Sequence, residues 1–322
     1  MTATPRWGTT IPLEGVPLPQ QADVCRELEA LGYTDLWTAE GMGTDGFTPL
    51  GIAAGATTHA HLGIAIASAF TRGPALLAQT AATLAATAPG RFTLGLGASS
   101  NVLVQQWNGI EFDRPLSRTR DLVRFLRTAL DGERVEAAYD TFALKGVRID
   151  VLGDAPRPSI VVAALRGKML ALAGEEADGA VINWLSAGDV ARVAPIITAP
   201  GAREVVARVL VAPTDDAEVA RAIGRRLIAT YLNVPVYRAF HEWLGRDDLE
   251  PMWKLWAAGE RREASAAIPD HVVDELVLHG SPDQIRAGIQ AYVDHGVTVP
   301  VSNLLPVPGI DPRQAARDLA PR

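Results

Sequence analysis

Gly90-Arg91-Phe92-Thr93-Leu94-Gly95-Leu96-Gly97-Ala98-Ser99-Ser100-Asn101 contains a short apolar strand, residues 92–96, that runs straight into small and polar residues. Seven further runs of this kind lie at residues 7–11, 35–38, 62–67, 160–163, 180–183, 205–211 and 299–304. Short β-branched or apolar runs bounded by turn residues read as strands. Several of them are apolar without alternation, as strands covered on both faces should be, and this favours a parallel sheet.

Helical patterns fill the gaps, notably at residues 20–31, 74–88, 117–131, 167–177, 215–231 and 282–295. Pro74 and Pro282 fit first-turn positions, where the missing amide would be unpaired anyway. Gly32 and Gly296 fit helix ends, where a left-handed residue is cheapest as glycine. Eight strand-helix units in 322 residues fit a (β/α)8 TIM barrel better than a doubly wound sheet, which typically has about five to seven strands. Residues 1–322 then form one domain. Two stretches exceed the minimal plan: 133–158, and a helical insertion near the C-terminal end at about 233–279 with Trp243, Trp253 and Trp256. The second is expected to lie over the barrel mouth or at a subunit contact, its tryptophans packing the insertion.

A chain with 48% hydrophobic and 21% charged residues can bury a large core, which excludes disordered and collagen-like classes. The net charge of -7 and the lack of a basic stripe argue against a nucleic-acid partner. Residues 1–20 hold Arg6, Glu14 and four prolines, and the longest apolar run, 62–70, is too short to span a bilayer. No export signal and no membrane partner are therefore expected. Cys25 is the only cysteine, so no internal disulfide can form; a cytoplasmic protein with Cys25 packed on a helix face is the natural reading.

In a barrel, reactive groups come from loops at the carboxyl ends of the strands. Those ends supply Thr9, Thr10, Thr38, Glu40, Ser68, Ala98, Ser99, Ser100, Asn101, Leu165, Arg166, Gly167, Lys168, Asn183, Trp184 and Asn303. Small hydroxyl and amide groups dominate, which suits a bound cofactor better than a side-chain nucleophile. Gly95 and Gly97 would let a planar ring or a phosphate approach the backbone, with Ser99, Ser100 and Asn101 in hydrogen-bonding reach. A packing role for these glycines is equally consistent with the pattern. The third glycine of a dinucleotide fingerprint is missing. Arg166 and Lys168 at a helix start form a reasonable anion site, although two solvated cations would look the same. Glu40 could act as general acid or base; the acid role at neutral pH requires a burial-raised pKa, and an ordinary loop carboxylate is the plainer reading. The six histidines show no metal-ligand spacing, and no GxSxG elbow is present.

Thr71-Arg72-Gly73-Pro74, Ala78-Gln79 with Ala81-Ala82-Thr83-Leu84, and residues 90–99 resemble the luciferase-like monooxygenase superfamily, in particular its branch of coenzyme F420-dependent oxidoreductases. The similarity continues through Trp107, Gly109, Phe112, Pro115, Arg118 and Asp121. It returns at Ala163 to Leu165, at Met169 and Leu172 to Glu175, at Ala177 to Gly179, at Gly280-Ser281-Pro282, and at Tyr292 and Gly296-Val297. It is nearly full length, apart from about 233–262. This resemblance implies a barrel, usually a homodimer, whose mouth holds F420, or alternatively FMN, against a small-molecule substrate. By position, Ala98, Ser99 and Ser100 would border the ring, and Leu165, Arg166, Gly167 and Asn183 the ribityl phosphate. Residues 64–68, including Ile64 and Ala65, match the bulge with a non-proline cis peptide that supports the ring in family members. Ala39 and Glu40 stand where several relatives have Asp-His, and Ser100 where others have an acid. Alcohol oxidation by a histidine base is therefore not implied. The expected chemistry is hydride transfer, with Glu40 or a water handling the proton and Ser100 as polar support. The alternatives are oxygen chemistry on reduced FMN and a non-catalytic flavin-binding protein of the same fold.

Overall fold

The computed structural model describes residues 6–41 and 43–321. Its strands are β1 (Gly8–Thr10), β2 (Asp35–Thr38), β3 (His61–Ser68), β4 (Phe92–Gly97), β5 (Val135–Ala138), β6 (Ala143–Val147), β7 (Ser159–Ala163), β8 (Gly179–Asn183), β9 (Glu204–Val211), β10 (Val277–Leu278) and β11 (Val299–Leu304). Among the described residues, β1, β2, β3, β4, β7, β8, β9 and β11 pair in parallel, in that order. The ring closes because β11 pairs with β9 on one edge and β1 on the other. This is the (β/α)8 barrel read from the sequence.

Alternation along the strands sorts side chains into two layers. Trp37, Val161, Val181, Val206, Val299 and Val301 fill the interior, with Ala65, Ile66 and Ala163 against them. Leu36, Leu62, Leu94, Ile160, Ile182 and Val205 face outward into the main core beneath the helices. Polar side chains close the amino end. Arg6 Nε reaches both oxygens of the fully buried Asp35 at 3.1 Å and Arg6 Nη1 reaches Glu204 at 3.0 Å. His61 Nε2 meets the Thr93 hydroxyl at 2.7 Å. A plugged floor leaves the carboxyl end as the opening.

Helix ends carry the expected signals. Gly32 sits at φ 95° and Gly296 at φ 112°, while Ser281 and Gln284 form a capping box ahead of the helix Pro282–Asp294. The stretch 133–158 contributes the antiparallel hairpin of β5 and β6. The insertion is helical: Glu250–Ala257, Arg261–Ala266 and Asp270–Leu276 pack with Ala217–Tyr231 around a second core, while Pro235–Leu244 sends Phe240 and Leu244 into the main one. Trp253 is buried and donates Nε1 to the Leu232 carbonyl at 3.0 Å. Trp243 and Trp256 lie under Arg192 and Arg261, at 5.3 and 4.0 Å. Among the described residues, no helix is long and apolar enough to cross a membrane.

Candidate functional site at the barrel mouth

The mouth is shaped first by an irregularity in β3. The register between β3 and β4 shifts between Ile64 and Ala67, and the Ala65–Ile66 peptide is cis and not to proline. This is the stretch that the family resemblance singled out. The bulge pushes its main chain onto β4, where glycine is required. A Cβ on Gly95 would lie 2.0 Å from the Ile64 carbonyl oxygen, and one on Gly97 would lie 2.8 Å from the Ile66 side chain. The room that the sequence suggested for a ligand at these glycines is taken by the neighbouring strand. Ile64 offers only its main chain to the bulge, since its side chain is fully buried in the outer core. Ala65 faces a small interior cavity shared with Thr10, Trp37, Thr38, Ala39, Val206, Arg208 and Val301.

Beyond β4, Ala98, Ser99 and Ser100 are all partly exposed. Ser99 adopts φ 64°, a left-handed conformation uncommon outside glycine and typical of sites where structure over-determines the backbone. The Ser100 hydroxyl accepts from the Leu103 amide at 3.3 Å, so its own proton stays free to donate.

Glu40 follows β2 and braces the bulge. Its amide donates to the Ile66 carbonyl at 3.4 Å, and its Oε2 accepts from the Ser68 amide at 3.4 Å. Its Oε1 accepts from Arg72 Nε and Nη2 at 3.0 and 2.6 Å. Arg72 in turn covers the Phe47 ring at 4.4 Å.

After β7, Arg166 leads into the helix Gly167–Glu176, which has no acidic residue in its first turn. Gly167 stands at φ 33°, and Arg166, Gly167 and Lys168 are exposed while Leu165 is half-buried. Free amides, a positive dipole end and two cations suit a phosphate. On the adjacent β8, Asn183 Oδ1 accepts from the Trp184 amide at 2.9 Å, which leaves its NH2 available. Trp184 is a bulky residue at φ 57° and buried. The sequence placed these residues on neighbouring strands, and the barrel gathers them around one opening. The donor set at the mouth, with the bulge at Ala65 and Ile66 beside it, fits a flat heterocycle with a phosphate tail.

Three groups at this end were not anticipated: Arg208, Tyr231 and Tyr237. Arg208 points inward from β9 and donates Nη2 to Asn303 Oδ1 at 2.8 Å. Burial lowers its pKa from the ordinary value, with Tyr231 and Tyr237 acting in the opposite sense. Tyr231 packs on Trp184 with ring centroids 5.2 Å apart, and Tyr237 meets Tyr231 edge-on at 6.5 Å. A lone arginine inside an apolar strand was the available signal. Among the described residues, no group of three or more His, Cys, Asp or Glu side chains could hold a metal ion.

Residues 2–299 match the model of the luciferase-like monooxygenase family. A Mycobacterium tuberculosis protein named for coenzyme F420-dependent oxidoreductase activity is 30% identical, over 94% of this chain and 95% of its own length. The structure of the coenzyme F420-dependent tetrahydromethanopterin reductase from Methanopyrus kandleri superposes with a TM-score of 0.80 at 19% identity, covering 99% of this chain and 98% of that one. An F420-dependent secondary alcohol dehydrogenase, solved with an F420-acetone adduct, gives a TM-score of 0.79 at 16% identity, covering 98% and 97%. The chain is thus an oxidoreductase that belongs to the luciferase-like monooxygenase family.

Proposed function

We propose that the protein is an F420-dependent oxidoreductase that moves a hydride between the deazaflavin and a small organic substrate at the carboxyl mouth of the barrel. The observation that carries this reading is the bulge at Ala65 and Ile66, which borders an interior cavity lined by Trp37, Ala39 and Arg208 and lies on the strand paired with β4, the strand that leads into Ala98, Ser99 and Ser100. When bound, the deazaflavin supplies the hydride. The chain's own residues bind, orient and exclude water. The Ala65–Ile66 main chain backs the ring, and the amides at the start of Gly167–Glu176, with Arg166 and the Asn183 NH2, hold the phosphate. Glu40 fixes the bulge through Ser68 and Ile66 and, directly or through a water, would give or take the proton that accompanies the hydride. Ser100 donates its hydroxyl proton at the ring edge. The homodimer and the cytoplasmic setting belong to the same proposal, and size-exclusion chromatography of the purified chain checks the first.

The family description also favours a second reading, in which reduced FMN and oxygen do the work. One assay separates the two. Under nitrogen, the protein should re-oxidise reduced F420 with a panel of activated alkenes and carbonyls faster than the protein-free blank. Turnover that instead requires reduced FMN and consumes oxygen would overturn the F420 reading. A protein that binds the cofactor yet turns over under neither condition is the non-catalytic alternative.

A further inference from the structure

The barrel mouth contains a positive charge that the chain does not neutralise. Arg6 pairs with Asp35 and Glu204, Arg72 with Glu40, and Arg246 with Asp189 and Glu275, while the half-buried Arg91 and Arg118 each donate to two main-chain carbonyls. Arg208 finds only the neutral Asn303. Its Nε is sealed from solvent and has no acceptor among the described residues. A guanidinium taken out of water without a counter-charge is costly, and the cost is relieved if a ligand completes it.

Its neighbours narrow the ligand. On one side Arg208 borders the small cavity that Ala65 and Trp37 also line. On the other stand Tyr237 and Tyr231, with Tyr231 packed on Trp184. Asn183 is the register partner of Arg208 on β8, which puts the substrate position beside the cofactor's phosphate site. A fork of N–H donors beside an aromatic wall suits an oxyanion carried on a flat or apolar body.

We propose that Arg208 receives the carboxylate of an acidic substrate through its Nη1 end, with Nη2 held in place by Asn303, while Tyr231, Tyr237 and Trp184 flank the substrate's apolar part. This rests on the hydride-transfer reading for what happens next, because a carboxylate held there places the adjoining carbons over the cavity beside Ala65. The cofactor's phosphate has its own partners after β7, so it does not need this arginine.

The test uses 2-naphthoate and its uncharged counterpart 2-naphthamide as probes, with binding followed by calorimetry on the full chain. The wild type should prefer the acid by about tenfold or more. Arg208→Gln should erase that preference, and Arg208→Lys, which keeps the charge but not the fork, should restore part of it. Asn303→Asp supplies an internal carboxylate and should block the acid while the protein stays folded by circular dichroism. Tyr231→Ala should weaken acid and amide alike. Equal binding of acid and amide by the wild type, or an undiminished preference in Arg208→Gln or Asn303→Asp, overturns the proposal. F420 titration of the same Arg208→Gln protein is read separately. Lost acid preference with retained F420 binding supports the assignment, whereas a wild type that selects the acid but ignores F420 keeps this assignment and removes the cofactor reading.

Discussion

The carbonyl oxygen of Ile64 occupies the space in which a side chain on Gly95 would begin, 2.0 Å from the position of its Cβ. The clash is with backbone, which cannot rotate away. Gly95→Ala should therefore cost on the order of 3 kcal/mol in urea denaturation and flatten the bulge that shapes the mouth. Gly51, in the helix Thr48–Ala56, has nothing within 4 Å of such a Cβ. Gly51→Ala should stabilise by about 0.5–1 kcal/mol. Similar responses at the two positions would contradict the placement of the bulge.

Glu40 and Arg72 tie the loops after β2 and β3 together. Replacing Glu40 by Gln keeps an acceptor for Ser68 and removes the charge that holds Arg72. F420 affinity should fall about tenfold. If Glu40 also handles the proton, kcat should drop by about 10²-fold or more. An unchanged affinity and an unchanged kcat together would remove Glu40 from the site.

Arg166 and Lys168 are exposed at the start of a helix without a first-turn acid. Replacing both with Ala should weaken F420 binding by about tenfold or more at low salt and by less at high salt, since exposed charges are screened. Equal loss at both salt concentrations would assign the effect to packing instead.

Two histidines give the fold a signature in pH. Burial, aided by Arg6, lowers His61 to about 4 from an ordinary 6.5, and burial, aided by Arg246, lowers His241 to about 4 as well. Between these values the unfolded chain takes up protons that the folded chain refuses. Stability should be full above pH 6.5 and decline as pH falls towards about 4. His241 is fully buried and neither ring nitrogen has a hydrogen-bond partner. His241→Leu should recover on the order of 2 kcal/mol of the acid loss, read from denaturation midpoints at the two ends of that range. A decline as steep as the wild type's would contradict this.

Most barrel strands were legible from outward apolar residues at a period of two or a continuous apolar run, whereas β1, Gly8-Thr9-Thr10, was legible only from Trp7 and Ile11 at its ends. Other elements lacked that signal. Thr48–Ala56 is rich in alanine and glycine, with Leu50 and Ile52 its only large apolar residues, so it has no helical stripe. Ala187–Thr198 carries Pro195 in its interior, and its Ser186–Asp189 capping box was the overlooked cue. β10 is two residues long and exists only because β9 outruns β8, leaving Leu210 and Val211 to pair with it. At the site, loops next to strand ends could be read from position alone, which gave Glu40, the 98–100 turn and the 165–168 turn. Arg208 required knowing which strand face points inward. Tyr231 and Tyr237 come from the insertion and its preceding helix, so only the folded chain brings them to Trp184.

The central claim is that this mouth holds a deazaflavin, and fluorescence titration of the purified protein with F420, with FMN as competitor, tests it most directly. Saturable binding of F420, preferred over FMN by about tenfold or more, is the predicted result. Binding of neither, or preferential binding of FMN, would contradict it.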